Sequence, residues 1–207
     1  MIDYKKLDVE YDQIIILDLL SENERTDWKI TEELRDVLKG ERFSVHPIYL
    51  SNKQELLDAL EQLTTQAKAG KRYMLHFVGH GNSDCIGFKH NHELIPWSQL
   101  EVPLQNLNKV SDETLVLNMT TCKGLNVIKA VDHMKVEKPF FGIIGYSADL
   151  DYCVGISANK IFYLSMSNGI QINKAIEKVK KETGDDNFHC ITAQGYSAIK
   201  NKIEQQR

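Results

Sequence analysis

Two apolar runs constrain the fold of this 207-residue chain more than anything else in it. One reads YMLHFVGHG, from Tyr73 to Gly81, and the other reads TLVLNMTTC, from Thr114 to Cys122. Both are apolar almost throughout rather than alternating, and both are too short for a buried helix. That pattern suits strands covered on both faces, as in a parallel sheet with helices above and below. Each run stops at side chains that can do chemistry. The first ends at Gly79-His80-Gly81 and the second at Cys122.

The flanking chain fits that frame. Gln13–Leu20 (QIIILDLL) predicts a first buried strand, and residues 21–26 are polar and read as a loop. Ile30, Leu34, Val37 and Leu38 mark one face of a helix that Gly40 ends. Phe43–Leu50 predicts the second strand. Ser51 with Gln54 reads as a capping box opening a helix on Leu56, Leu57, Leu60, Leu63 and Ala67, which Gly70 closes. The order up to Val78 is β-α-β-α-β, which implies parallel strands joined by right-handed crossovers. Asp84–Phe88 and Glu93–Ile95 read as a small hairpin, and Trp97–Leu107 as a short helix. After the Thr114–Met119 strand, a helix is expected from Leu125 to about Lys135, then a strand over Phe140–Gly145. A buried helix over Gly155–Ser167 follows, then an amphipathic one on Ile172, Ala175, Ile176 and Val179. His189–Tyr196 is the last expected strand, with a polar helical tail. The expectation is one α/β domain over residues 1–207, with its core at about 12–198 and no linker or internal repeat.

Composition narrows the function. The formal net charge is −4 with no Lys/Arg-rich block, so nucleic-acid binding has no electrostatic support. No apolar run approaches the length of a membrane span, and the polar N-terminus lacks a signal-peptide core. Cys85, Cys122, Cys153 and Cys190 are scattered with no CxxC pair, so they are expected to be reduced, in a cytoplasmic protein.

In an open parallel sheet, ligands bind at the carboxyl ends of the strands. If the two runs are neighbours, His80 and Cys122 meet there. A cysteine needs a base or a positive field to become thiolate at neutral pH, and histidine is the usual partner. A helix starting just past Cys122 would add its positive end. Gly81, without a side chain, lets its N–H approach a substrate carbonyl, and paired with the Cys122 N–H it would form an oxyanion hole. His76, inside the strand, reads as a core histidine. His90, His92 and Cys85 lack a fourth metal ligand at sensible spacing. Gly79-x-Gly81 lacks the third glycine of a dinucleotide fingerprint, since Asp84 stands in its place. No metal or organic cofactor is expected.

These residues resemble the caspase-like (clan CD) cysteine peptidases, and within them the bacterial CHAT-domain group. The shared pattern is an apolar strand ending in His-Gly, here His80-Gly81, a hairpin (CIGFKHNHELIPWSQL), and a second strand ending in the nucleophile, here Cys122. FFGIIGYSADLDYCVG is similar to the strand and loop that build the substrate pocket. The resemblance implies a three-layer sandwich on a mostly parallel six-stranded sheet, with a small hairpin after the His-Gly. It implies a cysteine endopeptidase acting on a protein or peptide substrate, with regulation by a separate activator protein, in settings such as stress or antiviral defence. Two residues before the nucleophile, where caspases carry Gln and metacaspases Asp and the residue helps choose the P1 side chain, stands Thr120; the resemblance implies a substrate-binding place for it, but P1 preference does not transfer. Asp149 and Asp151 lie in the loop where caspases place a P1-binding Arg, and Asp18 ends the first strand on the same edge. These carboxylates imply a basic P1 residue. Two alternatives stay open: a catalytically silent binding module on the same fold, and a thiol acyl hydrolase or acyltransferase acting on a non-protein substrate.

Overall fold

A computed structural model describes residues 11–67 and 72–206. Among the described residues, nine strands form in two sheets. The large sheet has six: β1 (Gln13–Asp18), β2 (Ser44–Tyr49), β3 (Tyr73–Val78), β7 (Val116–Thr120), β8 (Gly142–Tyr146) and β9 (Phe188–Thr192), in the order β2-β1-β3-β7-β8-β9. Every neighbouring pair is parallel except β8 with β9. The small sheet is an antiparallel ribbon of β4 (His80–Gly81), β5 (Cys85–Phe88) and β6 (Glu93–Pro96). This matches the expected six-stranded, mostly parallel sheet with a hairpin after the His-Gly.

Successive strand residues point to opposite faces, and each face has its own core. Ile15, Leu17, Leu75, Phe77, Leu117 and Met119 face helices α3 (Lys53–Gln66) and α4 (Glu101–Val110). Ile14, Ile16, Met74, Val78 and Val116 face α2 (Ile30–Val37), α5 (Tyr152–Ser167) and α6 (Ile172–Thr183). Double coverage is why the strands read as continuous apolar runs.

Several boundaries differ from expectation for identifiable reasons. Residues 21–26 are not a loop. Ser21 caps, and residues 22–26 begin, α1 (Glu22–Trp28), which buries no residue and so shows no apolar stripe. The cap of α3 is Asn52, whose Oδ1 accepts from the Glu55 N–H at 2.9 Å, while Glu55 accepts from the Ser51 N–H at 2.7 Å; the cap is one residue later than expected, and the reciprocal bond falls on Ser51 rather than on the cap residue. The expected stop at Gly70 lies outside the described residues. After Cys122 the chain forms a short 3₁₀ helix, Gly124–Ala130, not an α-helix to Lys135. The last strand stops at Thr192, whose hydroxyl accepts from the Gly195 N–H at 3.1 Å and caps the terminal helix α7 (Ala193–Gln205).

One polar cluster is buried in the α5 face of the sheet. His76 Nε2 lies 2.7 Å from Thr120 Oγ1 and Nδ1 lies 3.0 Å from the Tyr163 hydroxyl. Asn159 Nδ2 donates to Thr120 Oγ1 at 2.7 Å, and Asn118 Nδ2 donates to Asn159 Oδ1 at 2.7 Å and to Tyr163 at 3.0 Å. All five residues are fully buried, so these bonds satisfy groups that would otherwise be costly to desolvate. They tie β3, β7 and α5 together just below Cys122. Burial pushes the His76 pKa down from 6.5 to about 3, so the ring is neutral in the fold.

The unfolded chain therefore takes up a proton at His76 below pH 6.5 while the folded chain does not, and stability present above that pH is lost as pH falls. Urea unfolding between pH 6.5 and 5 is expected to show a loss of roughly 1 kcal/mol per pH unit from this group. A His76→Gln variant should be less stable at pH 7 yet show a shallower pH slope. Equal slopes for both proteins would contradict a buried neutral His76.

Candidate active site

The β3–β7 pairing sets the site. Val78 is the register partner of Thr120, and the next rung is a bond from the Gly79 N–H to the Thr120 carbonyl at 3.3 Å. His80 and Cys122 each follow that last pair by two residues, at the carboxyl edge of neighbouring strands. Gly81 runs close against the nucleophile's turn. A β-carbon on Gly81 would lie 3.0 Å from the Cys122 carbonyl oxygen and 3.1 Å from Thr121 Oγ1, tighter than side chains normally pack. In the hairpin, Asn82 donates to the Cys85 carbonyl at 2.9 Å. Alternation along an antiparallel pair then turns the Gly81 N–H away from β5, toward the sheet edge.

The turn after Cys122 is sharp. Lys123 adopts φ 53 and ψ 30, a left-handed conformation that costs a lysine energy and is held here by a bond from its N–H to the Ala148 carbonyl at 2.8 Å. Cys122 is half-buried, and its Sγ accepts from the Leu150 N–H at 3.3 Å. Gly124 completes the turn. A β-carbon there would meet Met119 Cβ at 2.6 Å and Thr121 Oγ1 at 2.8 Å.

His80 has a partner that strand and motif reasoning missed. Its Nε2 lies 2.8 Å from Glu24 Oε1 on α1. The other oxygen of the same carboxylate accepts from the Ser21 N–H at 3.0 Å, closing a capping box at the start of α1. Burial pushes the Glu24 carboxyl up, but the bonds from the Ser21 N–H and hydroxyl and from His80 outweigh it and bring its pKa down to about 2. An ionised Glu24 selects the tautomer with the proton on Nε2 and leaves Nδ1 to exchange protons. The Ser21-x-x-Glu24 spacing is the signal that could have revealed this helix. Trp28 and Tyr152 stack at 4.2 Å and both meet His80 edge-on, at 5.8 and 6.2 Å. Tyr152 donates to the Gly79 carbonyl at 3.1 Å. Burial, then the charges of Cys122 and Glu24, push its phenol above the ordinary range, so it stays a neutral donor.

Two of the expected substrate-binding residues are not available to substrate. Asp18 is buried under α1 and α2. Its carboxylate accepts from the Leu20 N–H at 3.0 Å, from Arg25 Nε at 3.3 Å and from Thr31 Oγ1 at 2.5 Å. Thr120 is equally buried, with its hydroxyl in the His76 cluster. Of the two loop carboxylates, Asp151 is exposed but caps α5, accepting from the Cys153 N–H at 2.8 Å. Asp149 is 78% exposed and 3.6 Å from the Lys123 ammonium, beside the nucleophile's turn. Among the described residues, no cluster of His, Cys, Asp and Glu has the arrangement of a metal site.

No protein-family model matches the chain, and no curated protein does. Among solved structures, the chain is similar to gingipain R, an Arg-specific cysteine proteinase, with a TM-score of 0.56 and 13% sequence identity. The match covers 92% of this chain and 47% of gingipain R, so the chain spans about half the length of that protein. The fold is caspase-like. At this identity the likeness speaks for the fold alone, and no helix among the described residues is long and apolar enough to cross a membrane.

Gly124→Ala tests the tightness of the turn. The added methyl forces either Met119 or the Cys122–Gly124 backbone to move, and a loss of about 1–3 kcal/mol is expected in urea unfolding. An unchanged midpoint would contradict the packing described.

Proposed function

We propose that this protein is a cysteine endopeptidase in which Cys122 is the nucleophile and His80 the proton carrier. The observation that carries the proposal is the pairing of β3 with β7, which brings His80 and Cys122 to one edge, with Glu24 engaged on the far nitrogen of His80. The caspase-like fold shared with a known cysteine proteinase supports it.

The chemistry follows from the groups present. His80 Nδ1 takes the Cys122 thiol proton, and the sulfur attacks the carbonyl carbon of the scissile bond. The oxygen gains negative charge, which the Gly81 and Cys122 N–H groups stabilise. The intermediate collapses as His80 gives its proton to the leaving amine, so the C–N bond breaks and a thioester remains. Water, activated by His80, then releases the acid and restores the thiol. Glu24 is a positioning residue: it keeps the ring oriented and stabilises the imidazolium.

For specificity, we take Asp149 as the carboxylate that receives a basic P1 side chain. An ammonium, that of Lys123, already lies 3.6 Å from it, and gingipain R is named for Arg specificity. Asp151 supports the same loop by capping α5.

Fluorogenic peptides with Arg, Lys, Ala or Asp at P1 test this reading. Arg or Lys substrates are expected to be cut at least tenfold faster than Ala or Asp, and Asp149→Ala should erase most of that ratio. Cys122→Ala and His80→Ala should abolish turnover. Glu24→Gln should lower kcat about 10- to 100-fold with little change in KM, as loss of an orienting partner does. Preferred cleavage after Asp would overturn the assignment of Asp149, and turnover by Cys122→Ala would overturn the mechanism.

A further inference from the structure

The hairpin that carries His80 also builds a cleft of about 300 Å³ beside it. Cys85 and Gly87, on one face of β5, form its floor, and Leu94, the register partner of Gly87 and 62% exposed on β6, forms a wall. Lys89 and His92 stand at its rim, and no carboxylate lines it among the described residues. Glu24, the carboxylate that holds His80, lies 3.8 Å from the Lys89 ammonium and is already engaged by Ser21 and His80. Cys122 does not line the cleft, so it opens on the side of His80 that faces the hairpin rather than the nucleophile.

Resting on the peptidase reading, we infer that this cleft receives the side chain on the leaving-group side of the scissile bond, the P1′ residue, and that it selects a bulky apolar one. The direction follows from the chemistry. The leaving amine must sit against His80 to be protonated, and Cys122 holds the acyl half. The chain beyond the amine therefore passes His80 on the side away from Cys122, over the hairpin. The chemical preference follows from the lining. The floor and wall are apolar, and the volume accommodates a Leu or Phe side chain, whose burial is favourable. A Lys or Arg side chain would meet the Lys89 ammonium at the rim and find no carboxylate in the lining, the Glu24 carboxylate beyond it being already engaged by Ser21 and His80. Leu94, on an exposed edge, is then a specificity-determining residue that no step of the acyl chemistry uses.

The test uses peptides sharing whichever P1 residue is cut fastest and differing only at P1′, as Gly, Leu, Phe or Lys, with cleavage followed by mass spectrometry. Labelling of Cys122 by a peptide chloromethyl ketone, which has no P1′ residue, is measured alongside. The wild type is expected to cut Leu and Phe peptides about tenfold faster than Gly and at least tenfold faster than Lys. Leu94→Asp, which replaces the apolar wall with a counter-charge, should lower the Leu-to-Lys ratio at least fivefold. Equal rates across P1′, or a ratio that Leu94→Asp leaves alone, would overturn this assignment while labelled Cys122 keeps the peptidase reading standing. If neither labelling nor cleavage occurs, the peptidase reading falls and the P1′ assignment falls with it.

Discussion

The site depends on one parallel pairing. Because Val78 is in register with Thr120, and the Gly79 N–H reaches the Thr120 carbonyl, His80 and Cys122 leave the sheet at the same level on adjacent strands. Strands lie about 4.8 Å apart, so side chains leaving adjacent strand ends at one level are neighbours. A shift of one residue in that register would move one partner to the opposite face. The continuous apolar faces of β3 and β7, packed between two helical layers, make such a slip costly.

Two supports hold the pairing from either side. On the α5 face, the His76, Thr120, Asn159, Asn118 and Tyr163 cluster joins both strands to α5 through bonds that have no water to replace them. At the sheet edge, Asp18 and Arg25 anchor α1. The Arg25 guanidinium donates to the Asp18 carboxylate at 3.3 Å and to the Leu50 carbonyl at 2.9 Å, across the ends of β1 and β2. Glu24 is the residue before Arg25, so that anchor also fixes the carboxylate against His80. Asp18 thus serves the site at a distance, although it never meets substrate.

Much of this was legible in the residues. The strands could be read because double coverage leaves apolar runs, and His80, Gly81 and Cys122 stood out because each interrupts such a run. Glu24 was hidden because α1 buries nothing, so periodicity is silent there and only the Ser21-x-x-Glu24 spacing marks the helix. Asp18 and Thr120 were misread as substrate ligands because a strand-end position does not say what covers it. Both face the layer formed by α2 and α5, where helices close over the sheet and bury them. The helix expected from Leu125 to about Lys135 is not an α-helix. The Lys123 backbone and the close approach of Gly124 to Met119 instead make it a tight 3₁₀ turn.

The central claim is that Cys122 is reactive because His80 stands beside it. Intact mass after brief exposure to a peptide chloromethyl ketone tests it most directly, on the wild type, Cys122→Ala and His80→Ala in parallel. The account predicts a single adduct on the wild type, located at Cys122, and none on either variant in the same time. Labelling of His80→Ala at the wild-type rate, or an adduct on Cys85, Cys153 or Cys190 in preference to Cys122, would contradict it.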